Sequence, residues 1–152
     1  MAEALLKVFF LAFLPISEIR GALPYGVWGA GLPFFLVLGV ALCGNLLSYF
    51  VVMYTLHFFL VLFLRFRWFQ NWWTHYTTRV RERFRKYAQW EKWGVLLFIG
   101  IPLPFTGVWT GSLICFLGGL SFRESFPFVL GGLLMASCIV SVLTLLGKAW
   151  IF

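Results

Sequence analysis

From Phe34 to Leu64 the chain carries no Asp, Glu, Lys or Arg. At a rise of about 1.5 Å per residue, a helix over this run is about 46 Å long, longer than a hydrocarbon core of about 30 Å. Such a helix must tilt, kink near Gly44-Asn45, or extend out of the bilayer. A second run, from Pro127 to Gly147, matches a single crossing. The rest of the chain agrees with a membrane setting. Hydrophobic residues make up 62% and charged residues 11% of the 152, where soluble domains hold about 45–50% and about 25%. A sphere this small exposes too much of itself to hide that apolar surface from water. The sequence predicts one all-α integral membrane domain over residues 1–152. Disorder, a disulfide scaffold and an ordinary soluble enzyme are excluded.

The charge is concentrated. Eight of the twelve bases lie between Arg65 and Lys92, opposed there only by Glu82 and Glu91. A basic loop between apolar segments faces the cytoplasm, and its bases meet anionic lipid head groups. Nucleic acid is not the expected partner. Phe69, Trp72, Trp73, Tyr76, Val80, Phe84 and Tyr87 recur at helical spacing, so 65–92 reads as an amphipathic helix lying in the interface. Cys43, Cys115 and Cys138 sit in apolar stretches with no metal-like spacing and read as reduced packing residues. Lys7 and the Pro-Ile-Ser-Glu-Ile-Arg that follows Leu14 argue against a cleaved signal.

Two further apolar segments are too short to span. Ala4 to Leu14 stops at Pro15, with Glu18, Arg20 and Pro24 following; Trp93 to Ile101 stops at Pro102 and Pro104, and Val108 to Leu120 follows. A helix of about eleven residues reaches about 17 Å, near the bilayer midplane. Each half therefore reads as a re-entrant helical hairpin with a proline tip, followed by a transmembrane helix. Repeat one is 1–64 and repeat two 93–152. One crossing separates the hairpins, so they enter from opposite sides as an inverted repeat, with both termini outside. The alternative is an interfacial first helix, an exposed loop from Pro15 to Gly26, and one kinked helix over Trp93–Leu120.

The first tip, Pro15-Ile-Ser-Glu-Ile-Arg, carries the chemistry. An ionised group near the bilayer centre costs about 2.5–3.5 kcal/mol on insertion scales. Residues two apart diverge on a helix but share a side of an extended segment. An extended tip therefore lets Glu18 and Arg20 share one polar cavity, whereas a surface loop would carry both at little cost. The second tip is uncharged. Thr106 there is a candidate N-cap, and Gly107 and Gly111 permit close approach. Ser17 is the matching cap in the first half. Two helix N-termini facing each other with Arg20 nearby would hold an anion, phosphate foremost; the plainer alternative is capping for stability alone. Arg123 and Glu124 form a charged island that either lines a cytoplasmic entrance or is a solvated turn. Asn45, Ser48 and His57 are polar positions on the long apolar run, and His57 reads as packed and satisfied.

No Asp, HExxH, Walker loop or Cys/His cluster is present, so no catalytic residue, metal site or cofactor is expected and an enzyme is disfavoured.

Pro15-Ile-Ser-Glu-Ile-Arg-Gly-Ala-Leu-Pro-Tyr-Gly and Pro102-Leu-Pro-Phe-Thr-Gly-Val-Trp-Thr-Gly resemble the small multidrug export protein family of bacteria and archaea. That family is similar to the DedA (VTT-domain) superfamily, whose members have two opposed re-entrant hairpins. The resemblance spans nearly the whole chain. It implies a multi-pass transporter of the cytoplasmic membrane, and the DedA relatives are implicated in proton-linked translocation of undecaprenyl phosphate and other lipids. By position, Glu18 matches the acidic hairpin residue and Arg20 the base beside it, and Arg123 lies in the region of the DedA arginine. The additional hairpin aspartate typical of DedA has no counterpart here.

Together these features predict a small secondary transporter. Pro15, Ser17, Glu18, Arg20, Thr106, Gly107, Thr110 and Arg123 form the expected substrate site, and Glu18 exchanges the proton. A lipid or polyprenyl phosphate is the first substrate class, and drug-like amphiphiles the second. A channel or a structural membrane protein is the rival class. A homodimer is a possible assembly, because so few helices enclose little space alone.

Overall fold

The computed structural model describes residues 1–103 and 106–151, with backbone only for 80–91 and 149–151. Among these residues the chain is helical without a strand. The elements in order are α1 (Ala2–Phe13), α2 (Glu18–Pro24) continuing through a π-helical turn (Tyr25–Gly29), α3 (Phe34–Phe63), α4 (Arg67–Gly100), α5 (Val108–Leu117) and α6 (Phe122–Ile151). Helices α3 and α6 are each long and apolar enough to cross a membrane.

The prolines set the breaks. Leu14, before Pro15, is extended at φ −70° and ψ 139°, and Ile101, before Pro102, is extended at φ −84° and ψ 117°. A proline ring crowds the preceding residue out of the helical region, so α1 and α4 both stop at the residue before a proline. The single kinked helix over Trp93–Leu120 is therefore absent, because α4 and α5 are separate.

Two boundaries differ from the sequence expectation. The basic segment is not an independent interfacial helix: α4 runs unbroken from Arg67 to Gly100. No proline interrupts that stretch, and its one internal glycine, Gly94, is tolerated in a helix at a cost of about 1 kcal/mol. The 92/93 boundary thus falls inside one helix, and the basic segment and the first arm of the second half are continuous. On α4, Phe69 stacks on Trp73, and Trp72 stacks on Tyr76, in keeping with the aromatic stripe. Its remaining members Val80, Phe84 and Tyr87 lie outside the described side chains. Helix α6 also starts before Pro127, at Phe122. The Glu124 carboxylate accepts from the Ser121 N–H at 2.9 Å and from its hydroxyl at 2.7 Å, closing the first turn in the manner of a capping box. Glu124 of the charged island is thereby a capping group.

The two halves share one packing device. Helix α1 lies along α3, and α4 along α6. Gly44 of α3 faces α1 so closely that a Cβ there would stand 2.8 Å from the Phe9 carbonyl oxygen and 3.0 Å from Ala12 Cβ. Gly132 of α6 faces α4 in the same way, with 2.7 Å to the Leu96 carbonyl oxygen and 2.8 Å to Ile99 Cβ. Phe9 and Ala12 precede Pro15 at the spacings at which Leu96 and Ile99 precede Pro102. Small residues let helix backbones approach where lipid offers no hydrophobic drive for association. The halves also interlock, because α5 lies mainly on α3 while α2 touches both α3 and α6. At the start of α6, buried Tyr49 of α3 donates to the Phe122 carbonyl at 2.9 Å and lies 2.8 Å from Ser125 Oγ. Phe50, Phe122 and Phe126 surround it.

Candidate functional site

The turns that follow α1 and α4 meet. At this junction the carboxylate of Glu18 lies against the first turn of α5. Its Oε1 accepts from the backbone N–H of Trp109 at 3.3 Å, and the N–H of Val108 faces it as well. The first N–H groups of a helix have no partner within it and carry the positive end of its dipole. Glu18 thus serves α5 as a cap from another element.

Arg20 stands beside it. Its guanidinium lies 3.6 Å from Glu18 Oε2 and donates to the Leu103 carbonyl of the second tip. The Glu18 side chain is 6% exposed and that of Arg20 24%. A carboxylate so withdrawn from water requires such donors, since an unpaired buried charge costs several kcal/mol. Trp109 closes the opposite side, its indole N–H donating to the Phe13 carbonyl at 2.7 Å. Three hydrogen bonds therefore join the two proline turns, and the ion pair within the first turn holds two of their partners together.

The pair does not come together as the sequence argument expected. Glu18 and Arg20 are not on an extended tip but in the first turn of α2. Glu18 begins that helix at φ 47°, in the left-handed region that costs a residue with a side chain about 1–2 kcal/mol. That local turn directs its side chain across to α5, so two residues that diverge on a regular helix still share one site. Such strained backbone clusters at working sites.

Thr106 is not the cap of α5. Gly107 occupies that position without a side-chain cap, while the Thr106 hydroxyl closes its own turn. It accepts from the Leu103 N–H at 3.0 Å and lies 2.7 and 2.8 Å from the Ile101 and Leu103 carbonyls. The carboxylate of Glu18 has taken the capping role, and Gly107 makes room for it. A Cβ at Gly107 would collide with both carboxylate oxygens. Its φ of 174° is ordinary extended backbone, so the requirement for glycine here is steric. Ser17 precedes α2 but makes no side-chain cap, because its own φ and ψ are already helical. Its hydroxyl instead lies over Gly21.

Of the expected residues, Glu18, Arg20, Thr106 and Gly107 are gathered at the junction. Pro15 is exposed on the turn, and Thr110 is half-buried in the first turn of α5. Arg123 is exposed at the start of α6, and among the described residues no hydrogen bond or ion pair links it to Glu18 or Arg20. Trp109 and Asn45 were not singled out for the site. A visible signal pointed to each. Trp109 stands in the repeated Gly-Val-Trp of the second tip, and a buried asparagine in a charge-free helix must find partners. Among the described residues no group of His, Cys, Asp and Glu is arranged to hold a metal.

Residues 18–139 match the family model described as "Putative small multi-drug export protein". The match begins at Glu18, inside the first tip, and includes the second tip, α3 and α4. No curated protein and no solved structure matches the chain. The family match and the two apolar helices α3 and α6 make this a membrane protein.

Proposed function

The chain belongs to the small multi-drug export protein family, and we propose that it is a small secondary transporter whose site is the junction of the two proline turns. Glu18 carries the coupling proton, and Arg20 with the N-terminus of α5 receives an anionic or amphipathic substrate, foremost a lipid or polyprenyl phosphate. The observation that carries this reading is the Glu18–Arg20 pair itself. Glu18 is the one buried charged residue among those whose side chains are described, and the pair ties the turn after α1 to the start of α5, two helices too short to span a bilayer. Ionisable groups inside membrane proteins mark substrate and proton paths.

In this reading the arms α1/α2 and α4/α5 are re-entrant hairpins of an inverted repeat, as the resemblance to the DedA superfamily implies. Glu18 alternates between capping α5 as a carboxylate and releasing it when protonated. Release frees the helix N–H groups and Arg20 for the phosphate of the substrate, and movement of one hairpin against the other exchanges access. The basic face of Arg65–Lys92 holds the protein against anionic lipid on the cytoplasmic side of the cell membrane. The family description favours a second substrate class, drug-like small molecules, at the same junction. In either case the protein moves a solute and is not an enzyme.

The test is reconstitution of purified protein into liposomes with a short-chain polyprenyl phosphate, a fluorescent phospholipid or a cationic dye, under an imposed proton gradient. Gradient-dependent movement of the polyprenyl phosphate or phospholipid supports the first reading, and movement of the dye alone moves the assignment to drug-like cations. Glu18→Gln keeps the shape but cannot exchange a proton, and is expected to lose gradient-dependent transport while inserting normally. Arg20→Lys keeps the charge but loses the planar fork suited to phosphate, and is expected to raise KM more than it lowers kcat. Wild-type transport by both variants removes the pair from the mechanism.

A further inference from the structure

A buried asparagine on the long apolar helix has a place in this junction that its own helix does not explain. Asn45 of α3 is fully buried. The surrounding donors and acceptors assign its amide the orientation with nitrogen toward α1 and oxygen toward α2, in which the nitrogen donates to the Ala12 carbonyl at 3.3 Å and the oxygen accepts from the Ile19 N–H at 3.0 Å. Both partners are groups that helix ends leave open. Ala12 is in the last turn of α1, where carbonyls lack an acceptor role within the helix, and Ile19 is in the first turn of α2, where N–H groups lack one as donors. We infer that Asn45 is the positioning residue of the Glu18 site: one amide clamps the end of α1 to the start of α2 and so sets the left-handed turn that aims the Glu18 carboxylate at α5.

The pattern around it supports a dedicated role. Gly44 brings α1 close enough for the neighbouring amide to reach its backbone. In the second half, Gly132 performs the same packing, yet the residue after it is Leu133, also buried. The shared packing device therefore works with an apolar residue in this place. The second tip, which presents no carboxylate, is tied instead by its own Thr106 hydroxyl. The amide is found only in the half whose turn must hold an acid. Ser48, one turn along α3, makes a contrast, because its hydroxyl donates only to carbonyls of its own helix, those of Gly44 and Asn45.

The inference rests on Glu18 being the working carboxylate, but its test needs no substrate. Dicyclohexylcarbodiimide, which modifies carboxyl groups in apolar surroundings, is applied to the purified full chain at fixed pH, and labelling of the Glu18 peptide is followed by mass spectrometry. In the wild type the carboxylate is held by the α5 N–H groups and Arg20 and labels slowly. Asn45→Leu, which keeps the number and branching of the side-chain heavy atoms, is expected to raise the Glu18 labelling rate at least several-fold with helicity and monodispersity unchanged. Asn45→Ser, whose shorter side chain cannot span both partners, gives a smaller rise and covers the case in which the leucine variant does not fold. Ser48→Ala is expected to label as the wild type does. Wild-type labelling in folded Asn45→Leu or in Asn45→Ser overturns the inference, as does an equal rise in Ser48→Ala. Failure of the proposed function is seen separately, as no gradient-dependent movement of any of the three probes by the wild type, or as unimpaired transport by Glu18→Gln.

Discussion

Gly107 shows how little room the junction leaves at the level of single atoms. The Glu18 carboxylate sits where a Cβ at residue 107 would go, and at φ 174° the backbone there would accept any residue. Gly107→Ala therefore imposes no backbone strain but pushes the carboxylate away from the N–H groups of Val108 and Trp109. Overpacking of this kind typically costs about 1–3 kcal/mol. The variant is expected to unfold at lower temperature in detergent and to lose transport in liposomes, whereas Gly94→Ala, in open space on α4, leaves both unchanged or slightly improved. Thermal unfolding followed by circular dichroism, alongside the transport assay, separates the two. The same local economy explains why Thr106 is not a cap. Once an acid from the other half occupies the α5 N-terminus, the hydroxyl is free to bond back to Ile101 and Leu103 around Pro102.

At the scale of elements, the glycines of α3 divide into two kinds with opposite expectations. Gly44 meets the backbone of α1, and Gly39, on the same helix, has nothing within 4 Å of where its Cβ would be. Alanine is preferred over glycine in a helix by about 0.8–1.0 kcal/mol. Gly39→Ala is thus expected to stabilise the protein by a few tenths to about 1 kcal/mol, while Gly44→Ala must push α1 outward and destabilise it by about 1–3 kcal/mol. Gly132→Ala is expected to behave as Gly44→Ala does, since it faces Leu96 and Ile99 as Gly44 faces Phe9 and Ala12. Midpoints of thermal or denaturant unfolding in detergent check all three. A stabilising Gly44→Ala would mean that α1 is not seated on α3 as described. The continuity of α4 belongs to this scale too. With the basic segment and the first arm of the second half in one helix, a tilt of the segment is carried directly to Ile101 and the second tip.

For the molecule as a whole, the charge asymmetry and the order of arms fix an expected orientation. If the bases between Arg65 and Lys92 stay on the cytoplasmic side, one full crossing lies on each side of them, and both chain ends face outward. Single cysteines placed beside Lys7 or after Phe152, with Cys43, Cys115 and Cys138 replaced, are expected to react with an impermeant maleimide in intact cells. Reaction only after the membrane is opened would refute the opposed arrangement of the hairpins. A helix pair that enters and returns is stable in lipid only if its irregular turn is covered by protein or water. In the hairpin reading proposed above, the junction supplies that cover, because Glu18 accepts from the Trp109 N–H and Arg20 donates to the Leu103 carbonyl.

The sequence by itself determined the class, the breaks and the candidates. A charge-free run of membrane length, prolines at two midpoints and two charges beside the first of them are local properties, and local sterics convert them directly into helices that stop at Leu14 and Ile101. Glu18 and Arg20 stood out in the sequence as two charges beside a proline in an apolar stretch, and the structure brings them together at the junction. The partners of those charges were not legible. That Glu18 caps α5, that Arg20 reaches Leu103 and that Asn45 ties α1 to α2 depend on residues far apart in the chain. Only the packing of α1 on α3 and α4 on α6 brings them within hydrogen-bond distance. Helix periodicity also cannot reveal a left-handed turn at a glutamate, because that conformation is unfavourable locally and persists only where the surrounding contacts impose it. The order of groups along the chain could be read, but their convergence on one carboxylate was decided by tertiary structure, since hydrogen bonds reach only about 3 Å and only the folded packing supplies such distances.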